Sequence, residues 1–371
     1  MGLGRWYPSL GNGVKAAILC PEIPPSSQII LIAEFTVLFW ALTISHVFHR
    51  LFLLTFAAPQ ASSSYALGHM ATQLQGFFNV TKKRFKKARV LFVLAIILFP
   101  FTATAAPLRI SAIPDEAPTE LIRKFAPLAT YLEKEIGRPV KFIPLINYVA
   151  TVEALAARKV DLVWYGGFTH VQARIRTKGN AVPLVMRRRD LEFKSKFITA
   201  TNSGIKSLKD LKGKTFTFGS VSSTSGHLMP RFFLKQAGIV PEKDFARFSF
   251  SGSHDATAKW VEAGKVKAGA LNEAVWSKLV NAGKVNTKKV RVFYTTPGYV
   301  DYNWTARADL PREVLSKLAS AFLKLNHKNP EHRKILSLQR AKGYVLAFGA
   351  DFKAIELAAR EAGLLKKEAT Q

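Results

Sequence analysis

From residue 107 onward, apolar residues come in short unbroken runs that alternate with longer stretches in which they recur every three or four positions. Leu108 to Ile113 and Val140 to Pro144 read as strands. Between them Leu121, Phe125, Leu128, Leu132 and Ile136 keep helical spacing, which predicts a helix over Glu120 to Ile136. A helix over Tyr148 to Arg158 and a strand over Leu162 to Trp164 continue the series. Phe193 to Thr201 is extended again, Thr215 to Gly219 is a strand, and a helix runs through Gln236 to a stop at Gly238. Arg247 to Phe250 and Ala268 to Leu271 are strands on either side of a loop and helix ending at Glu262. The chain re-extends through Val290 to Tyr294 and Tyr302 to Ala306, and Arg312 to Leu364 is read as helical.

This alternation predicts an α/β fold with mainly parallel strands. Extended crossings near 193–201 and 294–306 set one α/β unit inside the other, which makes a two-lobed clamp. Residues 106–192 with 303–371 form the first lobe, and 193–302 form the second. In such folds a ligand sits between the lobes, at strand C-termini and helix N-termini.

The first 105 residues follow a different pattern. TKKRFKKAR, then the apolar run Val90 to Phe101, then small residues give the three parts of a secretory signal. The apolar run is too short for a bilayer, which needs roughly 20 residues. Ala103 and Ala105 are the small side chains that a signal peptidase accepts, so cleavage is expected after Ala105. Met70 starts a leader of conventional length, 70–105, and residues 1–69 then read as an upstream mis-start. The alternative is an inner-membrane anchor through the apolar stretch 29–58, which would make the same clamp a tethered sensory receptor; the N-terminus of the mature protein distinguishes the two.

Composition narrows the chemistry. A single cysteine, Cys20, excludes an internal disulfide framework, a Cys-rich zinc site and a Cys-ligated iron–sulfur cluster. Lys and Arg exceed Asp and Glu by 29, which first suggests a nucleic-acid or anionic-membrane partner. An exported clamp without a nucleic-acid motif makes the polymer a poor partner. The excess spread over residues 106–371 instead concentrates a small anion around the protein, or holds it near an anionic membrane.

The loop Gly219-Ser220-Val221-Ser222-Ser223-Thr224-Ser225-Gly226-His227 joins a strand pattern to a helix pattern. A helix start has free N–H groups and partial positive charge, and clustered hydroxyls add neutral donors, so a tetrahedral oxyanion can bind there without a cation. One hydroxyl suffices as an N-cap, and residues 222–225 alone supply four. No lysine follows the glycine as in a nucleotide-binding loop, and Ser225 has Ser223 where a nucleophile elbow has glycine.

Three more loops have the same setting: Ile113 to Pro118, Asn147-Tyr148, and Trp164 to Thr169. Tyr148 and Tyr165 can each donate a phenolic hydrogen bond while their rings exclude water. Ser253 and His254 open a further helix, with Ser253 as cap or ligand donor. No Ser–His pair with the geometry of a nucleophile is evident, and His327 and His332 lack the spacing of helical metal ligands, so neither enzyme nor metal site is expected.

The runs GSVSSTSGHLMPRFFL, NYVATVEAL, DLVWYGGFTHVQA, IKSLKDLKGKTFTFG and SGSHDATAKWVEAGKVKAGALNE resemble, in order and spacing, the phosphate/phosphite/phosphonate family of ABC-transporter substrate-binding proteins, in particular its selenate-transporter branch. The resemblance spans nearly all of residues 107–365. It implies a type II periplasmic binding fold and a cofactor-free monomer that delivers a small oxyanion to an inner-membrane permease and its ATPase. The S-T-S-G run then implies Ser223, Thr224 and Ser225 as donors, with Tyr148 and Tyr165 contributing from the other lobe. Glu273 and Asp301 are candidate acids for an ammonium-bearing ligand. A fully deprotonated dianion such as selenate needs donors only, whereas protonated phosphate or phosphite benefits from an acceptor.

Overall fold

The computed structural model describes residues 106–365. The leader, its cleavage point after Ala105, the upstream segment 1–69 and residues 366–371 lie outside the described residues. Among the described residues no helix is long and apolar enough to cross a membrane.

In chain order the strands are β1 (Leu108–Ala112), β2 (Val140–Phe142), β3 (Leu162–Tyr165), β4 (Ala181–Arg187), β5 (Ser195–Ala200), β6 (Thr215–Phe218), β7 (Arg247–Phe250), β8 (Ala268–Asn272), β9 (Val290–Thr295), β10 (Asn303–Arg307) and β11 (Tyr344–Leu346). They form a six-stranded sheet, β11-β4-β10-β3-β1-β2, and a five-stranded sheet, β7-β6-β8-β5-β9, with helices packed on both. Each sheet with its helices is one lobe of an α/β fold.

The sheets are mixed, which corrects the expectation of mainly parallel strands. β1 pairs parallel with β2 and β3, and β6 pairs parallel with β7 and β8. β10 lies antiparallel between β3 and β4, and β5 antiparallel between β8 and β9. These two reversed strands are the ones that enter a sheet from the other lobe, so they do not obey the direction set by strand–helix–strand crossovers. The two crossings bond to each other where they pass: Phe193 N–H donates to Tyr299 O at 2.8 Å and Tyr299 N–H to Phe193 O at 2.9 Å.

The helix Pro118–Ile136 buries the expected stripe of Leu121, Phe125, Leu128, Leu132 and Ile136. It continues through Pro127, whose interior position costs roughly 3 kcal/mol. Five buried apolar side chains at about 1.5–3 kcal/mol each outweigh that cost. Lys124 is buried on the same face. Gly238 ends the helix Met229–Gln236 with φ of +73°, a conformation L side chains rarely adopt.

The C-terminal region differs from the single helical reading. It divides into Arg312–Lys324, Pro330–Leu338 and Lys353–Glu361, with β11 between the last two. Asn329 accepts from the N–H groups of Glu331 and His332 and so caps a new helix at Pro330. β11 is three residues long and takes its structure from pairing with β4, which no local periodicity records.

Candidate functional site

The loop after β6 folds back on itself before its helix begins. Gly219 N–H donates to Gly226 O at 2.8 Å, and Ser223 Oγ accepts from Gly226 N–H at 2.9 Å. Residues Thr224–Leu228 form a single π-turn, closed by Leu228 N–H to Ser223 O at 3.0 Å, and lead directly into the helix Met229–Gln236. The N–H groups at the start of this turn have no carbonyl within the helix to bond, so they add donors to the hydroxyls of Ser223, Thr224 and Ser225. All three residues are buried. His227 closes the loop from behind, with Nδ1 at 2.7 Å from Val221 O and Nε2 accepting from Arg231 Nε.

The opposite lobe meets this loop directly. Phe168 N–H donates to Thr224 Oγ1 at 2.9 Å, and Thr169 Oγ1 donates to Ser222 O at 2.9 Å. Gly166 is the closest approach. A Cβ there would lie 2.8 Å from Thr224 Oγ1 and 3.0 Å from Asp301 Oδ1. A third link joins the lobes on the far side of the loop, where His254 N–H donates to Asp115 O at 3.1 Å.

Thr224 accepts from Phe168, so its own proton is available to a ligand. Ser223 likewise accepts from Gly226 and keeps its proton. Tyr148 is buried at the start of its helix, and its hydroxyl, beside Ser223, has no hydrogen-bond partner. Burial, and then the charges of Asp115 and Asp301, hold its pKa well above the ordinary value, so it is a donor at neutral pH. His254 is buried and its pKa is lowered to about 4 by burial, so the ring is neutral. Its Nδ1 accepts from Asn272 N–H at 3.3 Å, which places the proton on Nε2, 3.4 Å from Tyr302 Oη. Asn272 Nδ2 fixes that tyrosine at 2.8 Å.

Asp301 supplies the opposite chemistry. It is fully buried; Oδ1 accepts from Gly167 N–H at 3.0 Å, and Oδ2 has no partner. Burial pushes its pKa up to about 7, against the pull of Gly167 N–H and of the Thr224 and Ser225 hydroxyls beside it. An acid poised there is either acceptor or donor near neutral pH.

Beneath the site Arg187 is buried, with its guanidinium on both carboxylate oxygens of Asp190 at 2.6 and 2.7 Å. It lies 4.8 Å from the Trp164 ring and 5.1 Å from the Tyr302 ring. This pair fixes the aromatic floor that carries Tyr302 under His254.

Tyr148, Ser223, Thr224, Ser225 and His254 therefore meet at one place. Tyr165 and Ser253 do not act as expected, because each proton is already committed. Tyr165 Oη donates to Thr151 O at 2.6 Å, and Ser253 Oγ donates to Asp255 Oδ1 at 2.5 Å. Glu273 faces Arg189 at 3.6 Å. Asp115, whose buried Oδ1 is unpartnered, had only its strand-to-helix loop as a sequence signal.

The family model of the ABC transporter, phosphonate, periplasmic substrate-binding protein matches residues 110–352. The chain is 40% identical over 268 residues to "Probable ABC transporter phosphite binding protein PhnD1" of Prochlorococcus marinus strain MIT 9301, a match covering 69% of this chain and 90% of that protein. It is 30% identical over 236 residues to "Phosphate-import protein PhnD" of Mycolicibacterium smegmatis, covering 60% of this chain and 72% of that protein. The solved structure of the P. marinus protein in complex with methylphosphonate superposes with a TM-score of 0.67 at 39% identity, over 70% of this chain and 99% of that one. These are binding proteins rather than enzymes, and the chain belongs to the family of phosphonate periplasmic substrate-binding proteins of ABC transporters.

Proposed function

We propose that this protein carries a singly protonated phosphorus oxyanion, phosphite or a small alkylphosphonate, to an ABC permease driven by its ATPase. Tyr148, Ser223, Thr224 and Ser225 donate to the unprotonated oxygens, and neutral His254 lies beside them with its own proton directed at Tyr302. Asp301 takes the proton of the remaining P–OH in a hydrogen bond. The observation that carries this reading is the buried Asp301 carboxylate with its unpartnered Oδ2 beside the Thr224–Ser225 donors.

Selenate and sulfate have no proton to offer at neutral pH, so whenever Asp301 is ionised their oxygens face a buried acceptor that a P–OH would satisfy. We therefore assign the site to protonated oxyanions and against the selenate branch. Residues 106–192 with 303–371, and residues 193–302, act as the two halves of the clamp within a single chain, so a monomer suffices. About 1.5–3 kcal/mol from each charged hydrogen bond leaves enough, after ordering and desolvation, for the roughly 8 kcal/mol of micromolar binding.

A thermal-shift screen of the purified protein against phosphite, methylphosphonate, phosphate, sulfate and selenate tests this. Phosphite or methylphosphonate should raise Tm most. A larger shift with sulfate or selenate would overturn the assignment.

A further inference from the structure

Between the lobes lies a cavity of about 810 Å³ that none of Tyr148, Thr224, Ser225, His254 or Asp301 lines. Its walls come from the helices Pro118–Ile136 and Pro330–Leu338 of one lobe, and from Glu273–Asn281 of the other. Six cations line it: Arg123, Lys124, Arg189, Lys278, Lys334 and Arg340. Two carboxylates, Glu116 and Glu120, oppose them.

Both carboxylates are saturated from within. Glu116 accepts from Lys278 Nζ at 2.6 Å and from Arg340 at 2.7 Å. Glu120 accepts from Lys278 at 2.6 Å and Arg123 at 2.8 Å, with Lys284 at 3.6 Å. The remaining cations have little or no compensation inside the cavity. Arg189 lies 3.6 Å from Glu273 at the edge, and Lys334 pairs outward with Glu331.

Lys124 is the deepest and least satisfied. Its side chain is 3% exposed, its ammonium makes no hydrogen bond, and its nearest carboxylate oxygens, on Asp115 and Glu116, are both 3.9 Å away. The faces of Phe125 and Trp164, at 5.0 and 5.9 Å, compensate only in part. Burial lowers its pKa to about 8, with Arg340 and Arg187 adding to the effect against Asp115 and Glu116. Three ammonium donors without an acceptor, at the wall of a cavity with four more cations than anions, call for anionic oxygens. The volume is in the range of sites for whole small molecules, well beyond a single tetrahedral oxyanion.

We propose that this cavity binds a small polyanion, a polyphosphate or polycarboxylate, whose oxygens reach Lys124 while others pair with Arg189, Arg123 and Lys334. Lys278 comes from one lobe and the other cations from the opposite lobe or the crossing beside it, so the bound polyanion favours the closed clamp. By linkage it then tightens binding at the oxyanion site, and the oxyanion tightens binding of the polyanion.

The test is calorimetric titration of the full-length protein, saturated with methylphosphonate, with tripolyphosphate and separately with citrate. Binding of one equivalent is expected from at least one of them; the stronger arm separates phosphate from carboxylate recognition. The rim double variant Arg123→Glu/Lys334→Glu should weaken it tenfold or more while leaving methylphosphonate affinity unchanged, and Lys124→Met should weaken it similarly. Saturating polyanion should raise methylphosphonate affinity at least threefold. Absence of heat from both probes, equal binding in both variants, or displacement of methylphosphonate by the probe would overturn the proposal. If methylphosphonate itself does not bind, the functional proposal fails, and the same titrations without it still decide the cavity.

Discussion

Thr224 and Asp301 both close on Gly166, Oγ1 and Oδ1 lying 2.8 and 3.0 Å from where its Cβ would be. The backbone of Gly166 has φ of −79° and ψ of 162°, which any residue adopts, so the glycine is required by space and not by conformation. Gly166→Ala should therefore leave the lobes folded but hold the Thr224 loop away from Asp301. Phosphite or methylphosphonate affinity is expected to fall tenfold or more, with Tm of the ligand-free protein changed by only a few degrees. Unchanged affinity by titration calorimetry would contradict the close approach.

Asp301 gives the molecule a pH signature. Its native pKa is about 7 against an ordinary 3.8, so it is raised. From about pH 4 to pH 7 the unfolded chain has lost a proton that the native chain keeps. The native state binds more protons there, and stability falls as pH rises through that window, by up to a few kcal/mol. Asp301→Asn should remove the slope, so that Tm of the variant exceeds that of the parent at pH 8 by more than at pH 5. A constant difference between the two would show that Asp301 ionises normally.

The same variant tests ligand choice. Asparagine offers an amide donor where the carboxylate can only accept, so phosphite affinity should fall tenfold or more and sulfate affinity should rise. In the parent, phosphite affinity should decline above pH 7, as acid and ligand both lose the proton they share. Competition titrations at pH 6, 7 and 8 measure both effects, and a variant with unaltered preference would remove Asp301 from the site.

Loss of one donor from the loop should be felt in full, because the remaining site is shielded from water. Ser225→Ala and Thr224→Ala are each expected to weaken anion binding by roughly tenfold or more, in line with about 1.5–3 kcal/mol for a hydrogen bond to a charged group. Titration heats indistinguishable from the parent in both variants would place the anion elsewhere.

Three hydrogen bonds, from Phe168 to Thr224, Thr169 to Ser222 and His254 to Asp115, join the lobes around the site. Ligand that adds to these contacts should shift the population towards closure and reduce the radius of gyration in solution scattering. A scattering profile unaffected by saturating ligand would contradict a clamp.

Much of this was legible locally. The stripe from Leu121 to Ile136, the Gly238 stop and the serine-rich helix start after β6 each depend on residues a few positions apart, and their physics acts at that range. The candidate donors Tyr148, Thr224 and Ser225 could be named because strand-to-helix loops must expose N–H groups at one end of a sheet. The order of the motif-bearing segments likewise pointed to the family.

Only the tertiary structure decided which polar groups are free. Tyr165 and Ser253 have the residue types of donors, but their protons go to Thr151 and Asp255. Asp301 has no local motif, yet burial and its place beside Thr224, 77 positions away in the chain, raise its pKa and leave its Oδ2 without a partner. Lys124 continues an apolar stripe and is left with unbonded donors because the ring faces of Phe125 and Trp164 lie beside it and its nearest carboxylate oxygens are 3.9 Å away. A sequence specifies which donors and acceptors a chain owns; which of them remain unpaired is set by contacts between distant segments, and ligand recognition depends on those unpaired groups.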